Sequence, residues 1–186
     1  MDKERILTAT QTYLDRNRIE TERLKSFIEF LHAHDAVLSR ANTIGHITTS
    51  AIVFDSNKCK ILLIAHKFLG RLLQPGGHYE NDESLLMSAA REVHEETGIP
   101  YGSLIAEDKT DIPFDIDTHI IPANQKKGEP EHYHFDFRYI FHTDGFISVS
   151  LQENEVTDYG WFSVRSEEAR QGLGDYLVAK LLLNYN

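Results

Sequence analysis

Apolar positions along the chain change period near residue 42. Residues 2–40 contain neither Gly nor Pro, and their apolar residues recur at helical spacing. Ile6, Tyr13 and Leu14 share one face; Leu24, Phe27, Ile28 and Leu31 share another. This predicts a helical hairpin over 1–42, broken around residues 17–20. Beyond Asn42 the pattern is that of strands. A β-branched stretch over 46–54 leads into the turn Asp55-Ser56-Asn57-Lys58, and a second apolar run covers 59–66. A short extended piece over 72–74 stops at Pro75-Gly76-Gly77. A helix is predicted from about residue 83 to Thr97, with Gly98 as its C-cap. Extended segments near 114–121, 131–142, 146–151 and 159–164 follow, with a loop over 122–130 and helix again from Ser166. The order helices, strands, helix, strands, helix predicts an α+β fold. Its mixed sheet lies between helices as an α/β/α sandwich over 43–186, with the hairpin in front.

Composition narrows the function classes. The 186 residues carry 19 Lys and Arg against 29 Asp and Glu, a formal charge of −10. Such a field disfavours nucleic acid polymers and anionic membrane surfaces. It leaves room for a small phosphorylated substrate, because a metal can bridge acid to phosphate. The hairpin shows no basic recognition face; its apolar faces are expected to dock on the body or to form a homodimer. Cys59 is the single cysteine, which excludes an intramolecular disulfide and a Cys-based zinc site. Its apolar surroundings predict a small buried hydrophobe. The charged N-terminus and the absence of an apolar run near 18 residues point to a cytoplasmic protein.

Candidate chemistry concentrates between Gly77 and Ile99. Glu92, Glu95 and Glu96 stand at i, i+3 and i+4, so they share one helical face. Clustered carboxylates repel one another unless a cation sits among them, and oxygen ligands suit Mg²⁺ or Mn²⁺. Glu-x-x-Glu-Glu alone also fits a solvated acidic face. The wider spacing goes further: Gly77, five residues, Glu83, seven residues, then Arg91-Glu92-Val93-x-Glu95-Glu96-x-Gly98-Ile99. This resembles the signature of the Nudix hydrolase family at every defining position. Gln74-Pro75-Gly76-Gly77 is similar to the family's entry into that box and Trp161 to its late-strand tryptophan, so the resemblance spans about 43–164. It implies a Nudix fold and metal-dependent cleavage of a pyrophosphate bond in a nucleoside diphosphate linked to another moiety.

By resemblance, Glu92, Glu95 and Glu96 are the metal ligands, Glu95 a catalytic group, and Glu80 a further acid near the metals. Gly76, Gly77, Glu83, Arg91 and Gly98 support the box, with Arg91 expected to pair with Glu83. Asp82 stands where many members carry Gly and is expected to cap the helix. The box does not fix the general base. Glu155, six residues before Trp161, is the first candidate and Glu153 competes with it; both also read as solvated loop acids.

The substrate side is read from residues 131–139. Tyr133, Phe135, Phe137, Tyr139 and Phe141 alternate with His132, His134, Asp136 and Arg138. The aromatic set suits the core. The polar set is expected to contact substrate phosphate or base, with a solvated face or a separate transition-metal site as alternatives; His-x-His lacks a nameable third ligand. Lys126 and Lys127 in the preceding loop are candidates for attracting an anionic substrate, or ordinary loop lysines. The segment from Asp117 to Arg138 is similar to a bacterial Nudix subgroup. Two rivals share the fold: a nucleotide-sensing module, which tends to lose box carboxylates, and an isopentenyl diphosphate isomerase, which needs a reactive cysteine.

Overall fold

The computed structural model describes residues 1–185 other than 68, 126–127, 144–146 and 152–155. Two helices open the chain, α1 (Lys3–Arg16) and α2 (Lys25–Ala33), separated by a 3-10 turn at Arg18–Glu20. Asp2 caps α1 by accepting the Arg5 N–H at 2.9 Å. The break falls where the periodicity shifts, but helix stops at Ala33, well short of residue 40.

Strands β1 (Gly45–Phe54), β2 (Lys60–His66), β3 (Arg71–Leu73) and β4 (Gly76–His78) precede the central helix α3 (Leu85–Thr97). Then come β5 (Leu104–Ala106), β6 (Asp115–Ile121), β7 (His132–Thr143) and β8 (Val156–Ser163), and finally α4 (Glu167–Leu173) and α5 (Asp175–Asn184). Among the described residues all eight strands join one mixed sheet. β1 and β7 run parallel, in register from Gly45 opposite Tyr133 to Phe54 opposite His142; the other pairs are antiparallel.

Four local expectations are corrected. Helix α3 starts at Leu85, because Ser84 rather than Asp82 caps it, accepting the Met87 N–H at 3.2 Å. The described part of the 146–151 segment is not a strand. Its Ser150 N–H instead donates to the Thr97 carbonyl at 2.8 Å, closing over the C-terminus of α3. Gly98 ends the helix there at φ 67°, the left-handed region that favours glycine. Cys59 is exposed on the β1–β2 turn, where its N–H donates to Asp55 Oδ1 at 2.7 Å; it is not a buried hydrophobe. Tyr133 is likewise exposed rather than core-facing.

The sheet separates two apolar layers. Ile47, Ala51 and Val53 of β1, Leu62 of β2 and Phe135, Phe137, Tyr139 and Phe141 of β7 pack with α1, α2 and α3. Ile52, Phe54, Ile61, Leu63 and Ile140, offset by one residue, pack with α4 and α5. The hairpin's apolar face is therefore spent on this chain's own sheet. Phe27 lies 4.9 Å from Phe135 and 5.7 Å from Phe137 between ring centroids, and Phe30 lies 4.6 Å from Phe135. Burying one such ring contributes about 1.5–3 kcal/mol. Among the described residues no helix is long and apolar enough to cross a membrane.

The second face of the sheet changes character halfway along. On β1 the residues facing that way run His46, Thr48, Ser50, then Ile52 and Phe54; on β7 they run His132, His134, Asp136, Arg138, then Ile140. Helices α4 and α5 pack over the apolar half. The polar half is the setting of the candidate site.

Candidate active site

Helix α3 brings the acidic residues against the strand that carries Gly76 and Gly77. Leu85, Ala89, Ala90 and Val93 anchor the helix in the core. That orientation buries Glu92 and Glu96 and leaves Glu95 exposed. Glu96 Oε2 accepts the Gly76 N–H at 2.9 Å. A Cβ on Gly77 would stand 2.6 Å from Glu92 Oε1, so only glycine lets this carboxylate lie against the strand. Arg91 organises the cluster. Its guanidinium reaches Glu95 at 2.7 Å, Glu92 at 2.9 Å and Asp82 at 3.2 Å, and donates to the His78 carbonyl at 2.6 Å. Asp82 thus takes the bracing role expected of Glu83, whose carbonyl accepts from Arg5 at 3.4 Å.

Burial pushes the Glu92 carboxyl up to about 7; Arg91 opposes this, while Glu95 and Glu80 add to it. A buried acid crowded by other acids is stabilised as an anion only by added positive charge. The donor set is all oxygen, which fits a hard divalent cation such as Mg²⁺ or Mn²⁺.

Strand β4 has two sides. Gly77 faces Glu92, and His78, one residue on, pairs with Thr48 of β1 and belongs to the polar half of the second face. There His134 of β7 lies 4.8 Å from His46 and 5.2 Å from His78 between ring centroids. His132 stands 5.2 Å and His119 5.6 Å from the same ring. Burial and the neighbouring imidazoles bring His134 down to about 2, and burial with the nearby His132 brings His46 down to about 4. Both rings are therefore neutral near pH 7.

Asp136 and Arg138 share this face but are enclosed. Asp136 accepts from Ser50 at 2.6 Å and Thr48 at 3.2 Å. Arg138 pairs with Asp117 at 3.0 Å, Asp115 at 3.1 Å and Asp136 at 3.2 Å. Asp115 is fully buried and is reached as well by Arg23 at 3.3 Å and Lys180 at 3.0 Å. Glu20 closes the network through Arg23, Tyr13 and Lys180. Burial raises its carboxyl, but hydrogen bonds from Lys180, Tyr13, Tyr176 and Arg23 outweigh that and hold it near 2. Arg138 is thus paired with three carboxylates on this face.

Glu155, Glu153, Lys126 and Lys127 lie outside the described residues. His46, Thr48, Ser50, His78 and Asp115 join the site without having been expected. Their signal was the alternation His46-x-Thr48-x-Ser50, which acquires meaning only once β1 pairs with His134 and Asp136.

A family model described as NUDIX domain matches residues 45–179. The chain belongs to the Nudix pyrophosphohydrolase family. A Nudix relative from Lactococcus lactis subsp. cremoris (strain MG1363), named "Probable DHNTP pyrophosphohydrolase", is 33% identical over 159 residues, covering 83% of this chain and 86% of its own length. Two solved structures share the Nudix fold. A Nudix-family hydrolase from Clostridium perfringens has a TM-score of 0.55 at 23% identity, covering 75% of this chain and 97% of its own. The Ap4A hydrolase of C. elegans, in a binary complex, has a TM-score of 0.55 at 16% identity, covering 74% and 96%. The match begins at Gly45, so α1 and α2 stand outside it although they pack in the same core.

Proposed function

We propose that this Nudix enzyme hydrolyses the pyrophosphate bond of a nucleoside diphosphate linked to another moiety, in a reaction that depends on Mg²⁺, with Mn²⁺ as a substitute. The observation that carries the reading is Glu92, a buried carboxylate raised by burial and by its acidic neighbours, set against a glycine that leaves it room. Glu92, Glu95 and Glu96 are the proposed ligands. A divalent ion held by them would neutralise phosphate charge and lower the pKa of a bound water. Arg91 pairs with Glu95 and Glu92, and Glu95, the exposed member, faces the solvent from which substrate and water arrive. Glu95 is the proposed catalytic carboxylate, and Glu155 is kept as a second candidate base. His132 and His134 are proposed to line the substrate side, with Lys126 and Lys127 drawing in the anionic substrate. Asp136 orders that side through Thr48, Ser50 and Arg138. Residues 43–186 form the proposed catalytic unit, acting in the cytoplasm, with 1–42 as its buttress.

Isomerase chemistry of the reactive-cysteine kind is disfavoured by position. Cys59 sits on the turn after Phe54, whereas the histidines and β4 lie at the opposite end of the ten-residue β1. Phosphate release from a panel of nucleoside diphosphate derivatives and DHNTP, with a coupled phosphatase, tests the proposal. At least one compound should be turned over with Mg²⁺ and spared in EDTA. Tight binding across the panel without turnover would favour a sensing module instead.

A further inference from the structure

We infer that His46, His78 and His134 form a second metal site, for a Zn²⁺-type transition ion, distinct from the carboxylate cluster on α3. Each histidine offers one ring nitrogen, and the three nitrogens lie within 4.8 Å of one another. The ligands come from β1, β4 and β7, three strands of the same sheet, so backbone pairing fixes their spacing. Imidazole nitrogen suits zinc, copper or nickel, whereas the glutamates opposite suit Mg²⁺. A tetrahedral ion with Zn–N of about 2.0–2.1 Å needs its nitrogens about 3.3 Å apart. Small ring rotations would close that difference.

His46 supplies an independent reason. It is 2% exposed, and among the described residues neither ring nitrogen has a partner in full hydrogen-bond geometry, although the Asn42 backbone acts on the ring as a weak one and leaves at least one nitrogen unmatched. Leaving a buried polar group unsatisfied is costly, and native proteins rarely do so without a reason. A metal bond to one nitrogen supplies that reason. Two further histidines surround the triad with their rings already oriented. His132 Nδ1–H donates to the Pro130 carbonyl at 2.8 Å, and His119 Nδ1 is held by Asp117 at 2.9 Å. This is the outer-shell arrangement that usually fixes ligating imidazoles and leaves the other nitrogen with its lone pair. Packing of the rings for its own sake explains the ring contacts but leaves the buried His46 without a well-formed partner. An ion there would cross-link the polar ends of three strands beside the substrate side, with one coordination position left for a fourth ligand.

The test uses the full chain without a histidine tag, stripped with EDTA and kept in excess Mg²⁺ so that oxygen sites are filled. Titration with ZnCl₂ should give one tightly held Zn²⁺ per chain and a midpoint of thermal unfolding that rises with zinc. CoCl₂ in its place should give the visible absorption of a low-coordinate, nitrogen-ligated ion. His134→Asn and, separately, the less buried His78→Asn should each weaken zinc binding by about 100-fold or more. Glu92→Gln should bind zinc as the wild type does, which separates this site from the proposed catalytic one. No zinc bound in excess Mg²⁺ would overturn the inference, and so would binding equal to wild type in both folded histidine variants.

Discussion

Glu92→Gln should lower turnover while leaving the metal-free protein at least as stable as the wild type. The two effects have opposite signs because the carboxylate is held against its own electrostatic preference. Burial raises it to about 7 from an ordinary value of 4.5, and Glu95 and Glu80 add repulsion. Below pH 4.5 the acid is protonated in both folded and unfolded chains and costs nothing. Between about 4.5 and 7 the unfolded chain ionises first, so the metal-free fold loses stability as pH rises, and above 7 the loss is complete. Glutamine, close in shape and uncharged, removes that loss. Arg91 keeps Asp82 and Glu95 as partners in the variant. Urea unfolding in EDTA should therefore show the wild type weakening between pH 5 and pH 8 relative to Glu92→Gln. With Mg²⁺ and the best substrate, kcat of the variant should fall roughly 10²-fold or more, the scale of a lost charge in metal-assisted acid–base chemistry. A variant with near-wild-type kcat, or one less stable in EDTA at pH 8, would contradict the assignment.

Arg138→Met should cost about 3–5 kcal/mol of stability, the usual effect of breaking a buried ion pair from one side. In a chain of this length that lowers the midpoint of thermal unfolding by about 6–20 °C. Three cations, Arg23, Arg138 and Lys180, face four carboxylates, Glu20, Asp115, Asp117 and Asp136. The set is already one positive charge short, so removing Arg138 widens the deficit to two. Asp136 loses its cation and keeps only hydroxyl donors. Asp115, fully buried, keeps Arg23 and Lys180. Those two side chains come from the hairpin and from α5, so the loss should be felt in both helical layers. Arg138→Lys should recover only part of it, because one ammonium cannot reproduce the fork between three carboxylates. Calorimetry on the folded variants distinguishes this from a phosphate-binding role, in which KM rises and the unfolding midpoint stays put.

What could be read from the chain alone follows from how local each feature is. Helices α1, α2, α3 and the long strands β1, β2 and β7 carry their own period, so pattern located them to within a few residues, apart from the C-terminal end of α2. Strands β4 and β5 are three residues each and have no period to show; they exist because β1 and β7 present edges to pair with. The 146–151 segment alternates like a strand, yet Ser150 bonds to the end of α3. The acidic cluster was legible because its members lie within five residues of one helix. The histidine cluster was half legible. His132 and His134 stood out by alternation, but His46 and His78 join them only through strand pairing across more than fifty residues. The alternation also puts Arg138 on the face of His134, but its ion pair with Asp115 depends on β6 pairing opposite it and has no local signal.

The central claim is that the carboxylates of α3 hold the catalytic ion. Anomalous scattering from crystals of the full chain soaked in Mn²⁺ tests it most directly. The account expects density within about 2.0–2.6 Å of the carboxylate oxygens of Glu92, Glu95 and Glu96, the range of hard-cation coordination. Reaching that arrangement requires Glu95 to turn from Arg91 toward the ion. Density confined to His46, His78 and His134, with none beside the three glutamates, would contradict it.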